Sequence, residues 1–437
     1  TLDLKQPGTE ISPLLETILD KIPAPAINAD APFQLLVLAL AQDSYKGKMG
    51  IGKIQSGSIA RRQNVVTLTK DGGQVPGKIS DLAVFSGLER TDVETAEAGE
   101  IVALSGLEEV NIGDTIADPT NPVALPRVTI DEPTVQMTFS VNNSPFAGRD
   151  GKYLTSRHLR ERLFKELETN VSLRVQETDS ADRFLVAGRG ELHLGVLIEQ
   201  MRREGYELQI SQPEVILHRE GDTVTEPFEE LTIQVPSEYQ GPVIEEIGKR
   251  RGELRHMKLV HSEGTASEMH IEYHIPTRGI IGLKNILLAK TRGTIILHHV
   301  FSGYAPADEK ALLVAPHGSL VAFEAGTSTA YALFMTQERG ELFIGASVEV
   351  YQGMVVGQNS RDEDLDVNVC KQKQLSNMRA AGTDEALVLT PPREMSLEFA
   401  MEYIGQDELV EVTPKYLRLR KRLLNPDDRR KAKKSSK

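Results

Sequence analysis

The chain has 437 residues and a formal net charge of −13, with 40% hydrophobic and 26% charged residues. This length predicts roughly three or four domains, and the composition is that of a soluble globular protein, which excludes disordered and fibrous classes. The single cysteine, Cys370, excludes an internal disulfide and a thiolate metal cluster, and no apolar run approaches the about 20 residues that span a bilayer. We expect a cytoplasmic protein without a membrane partner.

The first 27 residues predict one amphipathic helix, with Ser12 placed to cap it and Pro13 suited to its first position. Its apolar stripe consists of Leu14, Leu15, Ile18, Leu19 and Ile22. No preceding residues are available to cover this stripe, and residue 1 is Thr. We therefore expect residues 1–27 to be the last helix of a preceding domain, in a chain cut from a larger protein.

Residues 28–127 predict a small closed β-barrel, because short alternating runs are separated by frequent glycines. The predicted strands are 35–40, 52–54, 64–68, 77–82 and 100–103. The run 47–54 matches G-x4-G-K, but Ile54 stands where a Ser or Thr hydroxyl would bind Mg²⁺ and no helix follows. We interpret it as a barrel hairpin and not as a phosphate-binding loop.

Two later segments predict the same order of elements, β-α-β-β-α-β, which is the ferredoxin-like unit. In 133–211 the predicted elements are strand 135–141, helix 156–169, strands 171–176 and 183–187, helix 191–205 and strand 206–210. In 227–301 they are strand 230–235, helix 239–251, strands 254–261 and 267–275, helix 279–291 and strand 293–300. The predicted fold class is therefore multidomain α+β.

Residues 302–437 predict a mixed, mostly-β C-terminal domain that ends in a basic tail. The predicted elements are strands 320–323, 330–334, 347–350 and 387–389, helix 396–404 and strand 416–420. Residues 415–437 carry eleven Lys or Arg against two Asp, a net +9, so the first 414 residues carry −22. An acidic body with a basic end favours RNA contact at that end, and a solvated tail is the alternative.

Two groups of side chains in this last region are candidates for RNA binding. The loop 371–382 has three cations and no acid, so it could follow a phosphate backbone, although an ordinary exposed loop would look the same. The residues assigned to RNA are Lys371, Lys373, Asn377 and Arg379 of this loop and Arg418, Arg420, Lys421 and Arg422 of the last strand. The loop has no aromatic residues, which favours recognition of phosphates and shape over bases.

No catalytic residue and no metal site are predicted. Six histidines occur in or near the second ferredoxin-like segment: His256, His261, His270, His274, His298 and His299. Zinc requires three or four convergent ligands, whereas most of these histidines alternate with apolar residues on predicted strands. A metal hydrolase that uses them is retained as an alternative. The acidic pair Glu229 and Glu230 is interpreted as solvated surface.

A glycine-rich turn joins the predicted strand 183–187 to the predicted helix 191–205. Its residues are Gly188, Arg189, Gly190, Glu191, Leu192, His193 and Leu194. Both glycines are expected to allow a sharp turn where a side chain would clash. The stretch resembles the GxGELHL signature in the third domain of translational GTPases of the elongation factor G type.

Further motifs extend the resemblance over nearly the whole chain. They are the residues I-P-A-P at 22–25, S-Y-K-G-K-M-G-I-G at 44–52, D-E-P-T at 131–134, N-S-P-F at 143–146, I-P-T-R-G-I-I-G at 275–282, N-M-R-A-A-G-T-D-E at 377–385 and E-L-V-E-V-T-P at 408–414. Together they are similar to the BipA/TypA family of ribosome-associated translational GTPases. General elongation factors lack the last two motifs. A LepA-type elongation factor is the alternative within the translational GTPases.

The resemblance implies an elongation factor Tu-type barrel at 28–127, domains like the third and fifth of elongation factor G at 128–211 and 226–301, and the family's own RNA-binding domain at 302–437. It implies no cofactor in this chain, because GTP and Mg²⁺ belong to a GTP-binding domain that the sequence lacks, so the chain alone should be inactive as a GTPase.

The implied partners are the 70S ribosome or 50S subunit, 23S rRNA and A-site tRNA, bound by a monomer. The implied roles are translation, large-subunit ribosome biogenesis and stress (cold) adaptation. An RNA-binding ribosome assembly scaffold that works without a GTP-binding domain is the alternative.

Overall fold

The computed structural model describes residues 11–23, 28–43, 45–69, 71–87, 89–107, 109–127, 132–221, 223–260, 267–308, 318–372 and 388–435. The chain divides into two compact units. The first comprises residues 1–130 with 168–171, and the second comprises residues 131–167 and 172–437.

The first unit contains helix α1 and a set of short strands. Its elements are α1 (Ser12–Lys21), β1 (Gln34–Asp43), β2 (Gly47–Ser56), β3 (Ser58–Ala60), β4 (Asn64–Leu68), β5 (Gln74–Lys78), β6 (Leu82–Ser86), β7 (Glu89–Asp92), β8 (Thr95–Glu97), β9 (Ile101–Leu104) and β10 (Thr115–Ala117). Helix α1 begins at Ser12, so the prediction that Ser12 caps the helix is wrong. None of the described residues 11–23 is buried.

The barrel strands form an antiparallel sheet in the order β5-β4-β10-β1-β2-β9-β6-β7. Its core includes Leu35, Ile54 and Ile116, all fully buried. The predicted strand 77–82 is wrong, because β5 ends at Lys78 and β6 begins at Leu82. Between them, the half-buried Asp81 accepts hydrogen bonds from Arg61 (2.7 Å) and Ser105 (3.0 Å).

The first ferredoxin-like segment has the predicted order of elements. They are β11 (Val135–Val141), α2 (Ser156–Glu166), β12 (Arg174–Glu177), β13 (Arg183–Gly188), α3 (Glu191–Glu204) and β14 (Leu208–Ile210). The strands lie in the order β12-β13-β11-β14. Thr155 caps α2 by accepting the His158 N–H, and Gly205, in the left-handed region at φ 98°, ends α3.

The second ferredoxin-like segment repeats this strand order, as β18-β19-β17-β20. Strand β15 (Glu214–Val215) pairs with β11 of the first segment. The elements that follow are β16 (His218–Glu220), β17 (Thr223–Pro236), α4 (Gln240–Lys249), β18 (Glu253–Val260), β19 (Glu268–Pro276), α5 (Thr277–Ile280), α6 (Leu283–Lys290) and β20 (Ile296–Pro306). The predicted helix 279–291 is wrong as one element, because Gly282 adopts φ 69° and separates α5 from α6. Strand β20 ends at Pro306, beyond the predicted limit of this domain at residue 301.

The C-terminal region differs most from prediction. Its elements are β21 (Ser319–Ala322), β22 (Gly326–Thr327), α7 (Ala330–Thr336), β23 (Gly340–Leu342), β24 (Glu349–Val350), β25 (Met354–Asn359), β26 (Leu365–Val367), α8 (Leu397–Tyr403), β27 (Glu408–Val412), β28 (Leu417–Lys421) and α9 (Pro426–Ser435). The predicted strand 330–334 is helix α7, because Thr329 accepts the Ala332 N–H (3.1 Å) and starts a helix there. Ser347, at φ 65°, shortens the predicted strand 347–350. Of the predicted strand 387–389, residue 387 lies outside the described residues, and Val388 and Leu389 form no strand.

One sheet crosses from the first ferredoxin-like segment into the C-terminal region. Strand β14 pairs with β27, with Leu208 opposite Val412 and Ile210 opposite Val410. The order then continues as β27-β28-β25-β21-β26. The described residues of the two regions also share one hydrophobic core, in which Met401 of α8 lies with residues of α3 and β11. Among the described helices, none has the length and apolarity that crossing a membrane would take.

Candidate functional site

The glycine-rich turn connects β13 to α3, and its two glycines are not equivalent. A Cβ on Gly188 would lie 2.9 Å from Leu194 Cδ2 and 3.0 Å from His193 Nδ1, so a side chain there would clash. Gly190 has φ 166°, an extended conformation open to any residue, and no described atom lies within 4 Å of an added Cβ. The predicted steric need for glycine is therefore correct at Gly188 and wrong at Gly190.

Hydrogen bonds within the protein fix the shape of this turn. Thr134 donates its N–H to Gly188 O (3.0 Å) and its hydroxyl to Arg189 O (3.0 Å). The Arg189 N–H donates to His193 Nδ1 at 3.2 Å, an arrangement that requires a neutral imidazole with its proton on Nε2. Burial lowers the pKa of His193 and favours that neutral form, with a smaller contribution from the Arg189 charge, and together these outweigh the Glu166 carboxylate, which raises this pKa.

Glu191, the first residue of α3, lies where α3, α8 and the second ferredoxin-like segment meet. Its Oε1 is shielded from solvent and has no hydrogen-bond partner among the described residues. Burial raises the pKa of Glu191 to about 7, and the neighbouring carboxylates of Glu402 and Glu229 add to this effect. The positive charges of His299 and Arg250 oppose it. A signature residue of the turn is therefore partly protonated near neutral pH.

The groups around Glu191 connect the helices of this junction. Glu402 of α8 accepts a hydrogen bond from Asn285 of α6 (2.5 Å), and His299 of β20 pairs with Glu229 of β17. Arg250 is 2% exposed and donates to Gly279 O (2.9 Å) and Ile281 O (2.7 Å). The Glu191 carboxylate thus lies close enough to charged groups of the second ferredoxin-like segment and α8 to feel their charges.

Replacing Glu191 with Gln should stabilise the protein at alkaline pH and change little in acid. Folding raises the pKa of Glu191 from 4.5 to about 7, so the stability that its neutral form contributes is complete below the lower value and is lost as the pH rises through the higher one. Gln cannot ionise, and we expect a gain of about 1–3 kcal/mol at alkaline pH. Urea unfolding on either side of the window measures the effect, and an equal gain at both pH values would contradict it.

The structure describes only part of the predicted RNA-binding loop. Lys371 is exposed, and its backbone C=O accepts the Thr329 hydroxyl (2.6 Å). Lys373, Asn377 and Arg379 lie outside the described residues, and their assignment to RNA stays a prediction.

The four cations predicted at the last strand differ in exposure, and two of them are buried. Arg420 and Lys421 are each 3% exposed. Lys421 Nζ lies 2.6 Å from Asp364, 3.0 Å from Asp407 and 3.0 Å from Glu408. Burial opposes its charge, but these carboxylates outweigh burial and raise the pKa of Lys421. Arg420 donates to Asn143 Oδ1 at 2.9 Å. The assignment of these two cations to RNA phosphates is wrong, because both side chains are buried and their donors bind groups inside the protein.

The other two cations of this group differ in exposure. The Arg418 side chain is 12% exposed and pairs with Glu411 (3.0 Å) and Asp150 (3.5 Å). Arg422 is exposed, as are Arg430 and Lys431 of α9. Arg429 pairs with Asp366, which attaches α9 to β26, and Lys371 follows β26 in the chain. Arg422 thus precedes α9 in the chain, and α9 is attached to the strand that precedes Lys371.

The histidines are not arranged as metal ligands in the described part of the chain. His274 Nδ1 lies 2.9 Å from Glu230 Oε1, and its ring stacks on Phe228 with centroids 4.7 Å apart. His261 lies outside the described residues. Within the described ranges, no three His, Cys, Asp or Glu side chains form a group that could hold a metal ion.

Three protein-family models match the chain: elongation factor G domain 2 at 32–118, the elongation factor G C-terminus at 223–313 and the TypA/BipA C-terminal domain at 317–426. A relative from Salmonella typhimurium, described as large ribosomal subunit assembly factor BipA, is 45% identical over 436 residues, which are 100% of this chain and 71% of the relative. The chain belongs to the TypA/BipA family.

Other TypA/BipA proteins show the same level of similarity. A relative of the same description from Synechocystis is 46% identical over 96% of this chain and 69% of the relative. Another, from Haemophilus influenzae, is 47% identical over 97% of this chain and 68% of the relative. The predicted family and fold class are confirmed, and the match at 317–426 favours this family over a LepA-type factor. A solved structure from Thermus thermophilus covers 68% of this chain and 59% of its own at 18% identity, with a TM-score of 0.42, too low to support an argument.

In this TypA/BipA chain, sequence analysis missed the acidic partners of the buried cations. Strands β27 and β28 form a hairpin in which Glu408 is opposite Lys421 and Glu411 is opposite Arg418. The signal was present in the sequence, because these pairs are symmetric about the turn at Pro414 and opposite charges at such positions attract.

Proposed function

We propose that this chain docks a large ribosomal subunit assembly factor on ribosomal RNA through the exposed cations of its C-terminal region. The observation that carries the proposal is the exposure of Lys371, Arg422 and the cations of α9, which contrasts with the buried ion pairs of Lys421. Family membership and the description of the relatives as ribosome assembly factors support it. The charge distribution also supports it. The acidic body of the chain repels polyanions, so contact with RNA is favoured only at the basic end.

We assign docking and not GTP chemistry to this chain. The run that matches G-x4-G-K lies inside β2, which pairs with β1 and β9 and is followed by strand β3. A phosphate-binding loop instead leads into a helix whose N–H groups face the phosphates. The proposed partners are the 50S subunit or 70S ribosome, through 23S rRNA and the A-site tRNA. The proposed setting is the cytoplasm, in large-subunit biogenesis, translation and cold adaptation.

The test is binding of the whole chain to purified 50S subunits over a salt titration. Replacing Arg422, Arg430 and Lys434 together with Ala should weaken binding and reduce the slope of log affinity against log salt by roughly 2–3, because each lost phosphate contact removes nearly one unit. The matched control replaces Lys53, Lys78 and Lys165, which are exposed elsewhere, with Ala. The control should keep the wild-type slope.

The outcomes separate the candidate functions. If both variants show the same slope of log affinity against log salt, Arg422, Arg430 and Lys434 do not contact RNA. Tight binding of the chain to 50S subunits without any nucleotide or added protein would favour an assembly scaffold that works alone. Binding that appears only when a GTP-loaded domain is supplied would favour docking controlled by that domain.

A further inference from the structure

Four side chains in the second unit form a stack in which aromatic rings alternate with guanidinium groups. The Arg418 Cζ lies 4.6 Å from the ring centroid of Tyr416 and 5.2 Å from that of Phe146, and the Arg149 Cζ lies 4.0 Å over Phe146. The stack therefore runs Tyr416, Arg418, Phe146, Arg149. Its two ends are at the surface: Tyr416 is 53% exposed and the Arg149 side chain is 51% exposed.

The middle of this stack is held firmly. Arg418 pairs with the fully buried Glu411 (3.0 Å) and with Asp150 (3.5 Å). Phe146 packs edge-on against Tyr351 with centroids 4.9 Å apart, and the Tyr351 hydroxyl donates to Glu411 (2.9 Å). Because these side chains are already ordered, a ligand that extends the stack would lose little conformational freedom in the protein.

The charges around the exposed end at Tyr416 suit a polyanion. Lys415 is 67% exposed, and Lys152 is exposed on the loop that contains Asp150. The acid that pairs with Lys415 is Asp150, which is 8% exposed and is shared with Arg418. At the other end Arg149 pairs with Glu349 (2.7 Å), which leaves the Tyr416 end as the more cationic of the two.

We propose that the exposed ring of Tyr416 stacks on an unpaired RNA base, with Lys415 and Lys152 contacting the neighbouring phosphates. Exposed aromatics interleaved with cations are how proteins hold single-stranded nucleic acid, because every base offers a flat face. The bases of a duplex are stacked on one another, so duplex RNA should not use this site. The inference rests on the proposed RNA-binding function and adds a base-stacking site made of residues other than the RNA-binding candidates in 371–382 and α9.

The turn itself does not depend on the Tyr416 ring, which makes the site testable. Tyr416 contacts Thr413 through its backbone alone: its N–H donates to Thr413 Oγ1 (2.8 Å) and its C=O accepts from Thr413. Substitution of the side chain therefore leaves these bonds in place. Tyr416→Phe keeps a stacking ring, whereas Tyr416→Ala and Tyr416→Leu remove it, and leucine retains apolar cover over Arg418.

The experiment compares affinities of the whole chain for a labelled adenine oligonucleotide of about ten bases and for an RNA duplex of equal length. Tyr416→Ala and Tyr416→Leu should weaken single-strand binding about tenfold, and Tyr416→Phe should not. None of the three should change duplex binding. A 5-iodouridine oligonucleotide should cross-link to Tyr416 under ultraviolet light, which mass spectrometry locates.

Several results would overturn the site. One is an unchanged affinity for the single strand in both ring-deleted variants, and another is an equal loss of affinity for the duplex. A third is displacement of the oligonucleotide by polyglutamate as effectively as by RNA, which would indicate an acidic protein partner. The ring-deleted variants could bind RNA normally while the triple variant (Arg422→Ala, Arg430→Ala and Lys434→Ala) does not. In that case only the stacking site is wrong. If the wild-type chain binds no RNA at low salt, the proposed function fails with it.

Discussion

Replacing Glu411 with Ala is expected to lower the free energy of unfolding of the second unit by about 3–5 kcal/mol. This fully buried carboxylate accepts four hydrogen bonds, which come from Asn142 (3.1 Å), Ser144 (2.9 Å), Arg418 (3.0 Å) and Tyr351 (2.9 Å). Its removal leaves the Arg418 guanidinium largely buried with only Asp150 beside it. The substitution also breaks the bonds that connect the loop after β11 to the hairpin of β27 and β28.

Hydrogen exchange read by mass spectrometry can localise this loss, and circular dichroism during urea unfolding can measure it, since the chain has no Trp. Exchange should accelerate in both the 142–151 loop and the 408–421 hairpin. The control is Glu394→Ala, which removes an exposed carboxylate from the same unit and should change the free energy of unfolding by less than about 0.5 kcal/mol. A loss as small as the control's for Glu411→Ala would show that the network contributes little.

Lys421 and Arg422 are adjacent cations for which we expect opposite effects on substitution. Lys421→Ala should cost about 3 kcal/mol of stability, because it leaves the buried carboxylate of Glu408 without its counter-charge. Arg422→Ala should leave stability within about 0.5 kcal/mol of wild type, because its side chain is exposed. On the proposed function, Arg422→Ala should instead weaken RNA binding and its salt dependence.

Both variants remove one positive charge at neighbouring positions, so each serves as the control for the other. Urea unfolding gives the stability, and a salt titration with RNA gives the binding. Lys421→Met, which retains an apolar stem in the buried site, tests whether lost packing or lost charge dominates. A Lys421→Ala protein with wild-type stability would show that the buried ion pairs are not needed.

Much of the fold was predictable from local pattern. Alternation and helical spacing identified both ferredoxin-like segments, because each buries one face of a sheet under two helices. Errors arose where a single backbone position overrode the pattern. Gly282 splits one apolar stripe into α5 and α6, and Thr329 starts a helix in a run that alternates like a strand. The pairing of β14 with β27 was not predictable, since about 200 residues separate the partners and only tertiary structure brings them together.

The candidate site was predictable only in part. Charge counting found the basic end of the chain, but it could not distinguish Lys421, which neutralises buried acids, from Arg422, which is exposed. The hairpin register would have shown the difference. The GxGELHL motif identified the turn, yet the role of Glu191 depends on Glu402 and His299, which lie far away in the chain.

The sheet that crosses from the first ferredoxin-like segment into the C-terminal region has a mechanical consequence. The turn at Gly188 ends its second strand, β13, and α9 is attached to its last strand, β26. Seven strand spacings separate the two, a span of roughly 35 Å along the sheet. Interstrand hydrogen bonds make such a sheet stiff. A force applied to the turn would therefore be transmitted through the sheet to the basic helix α9.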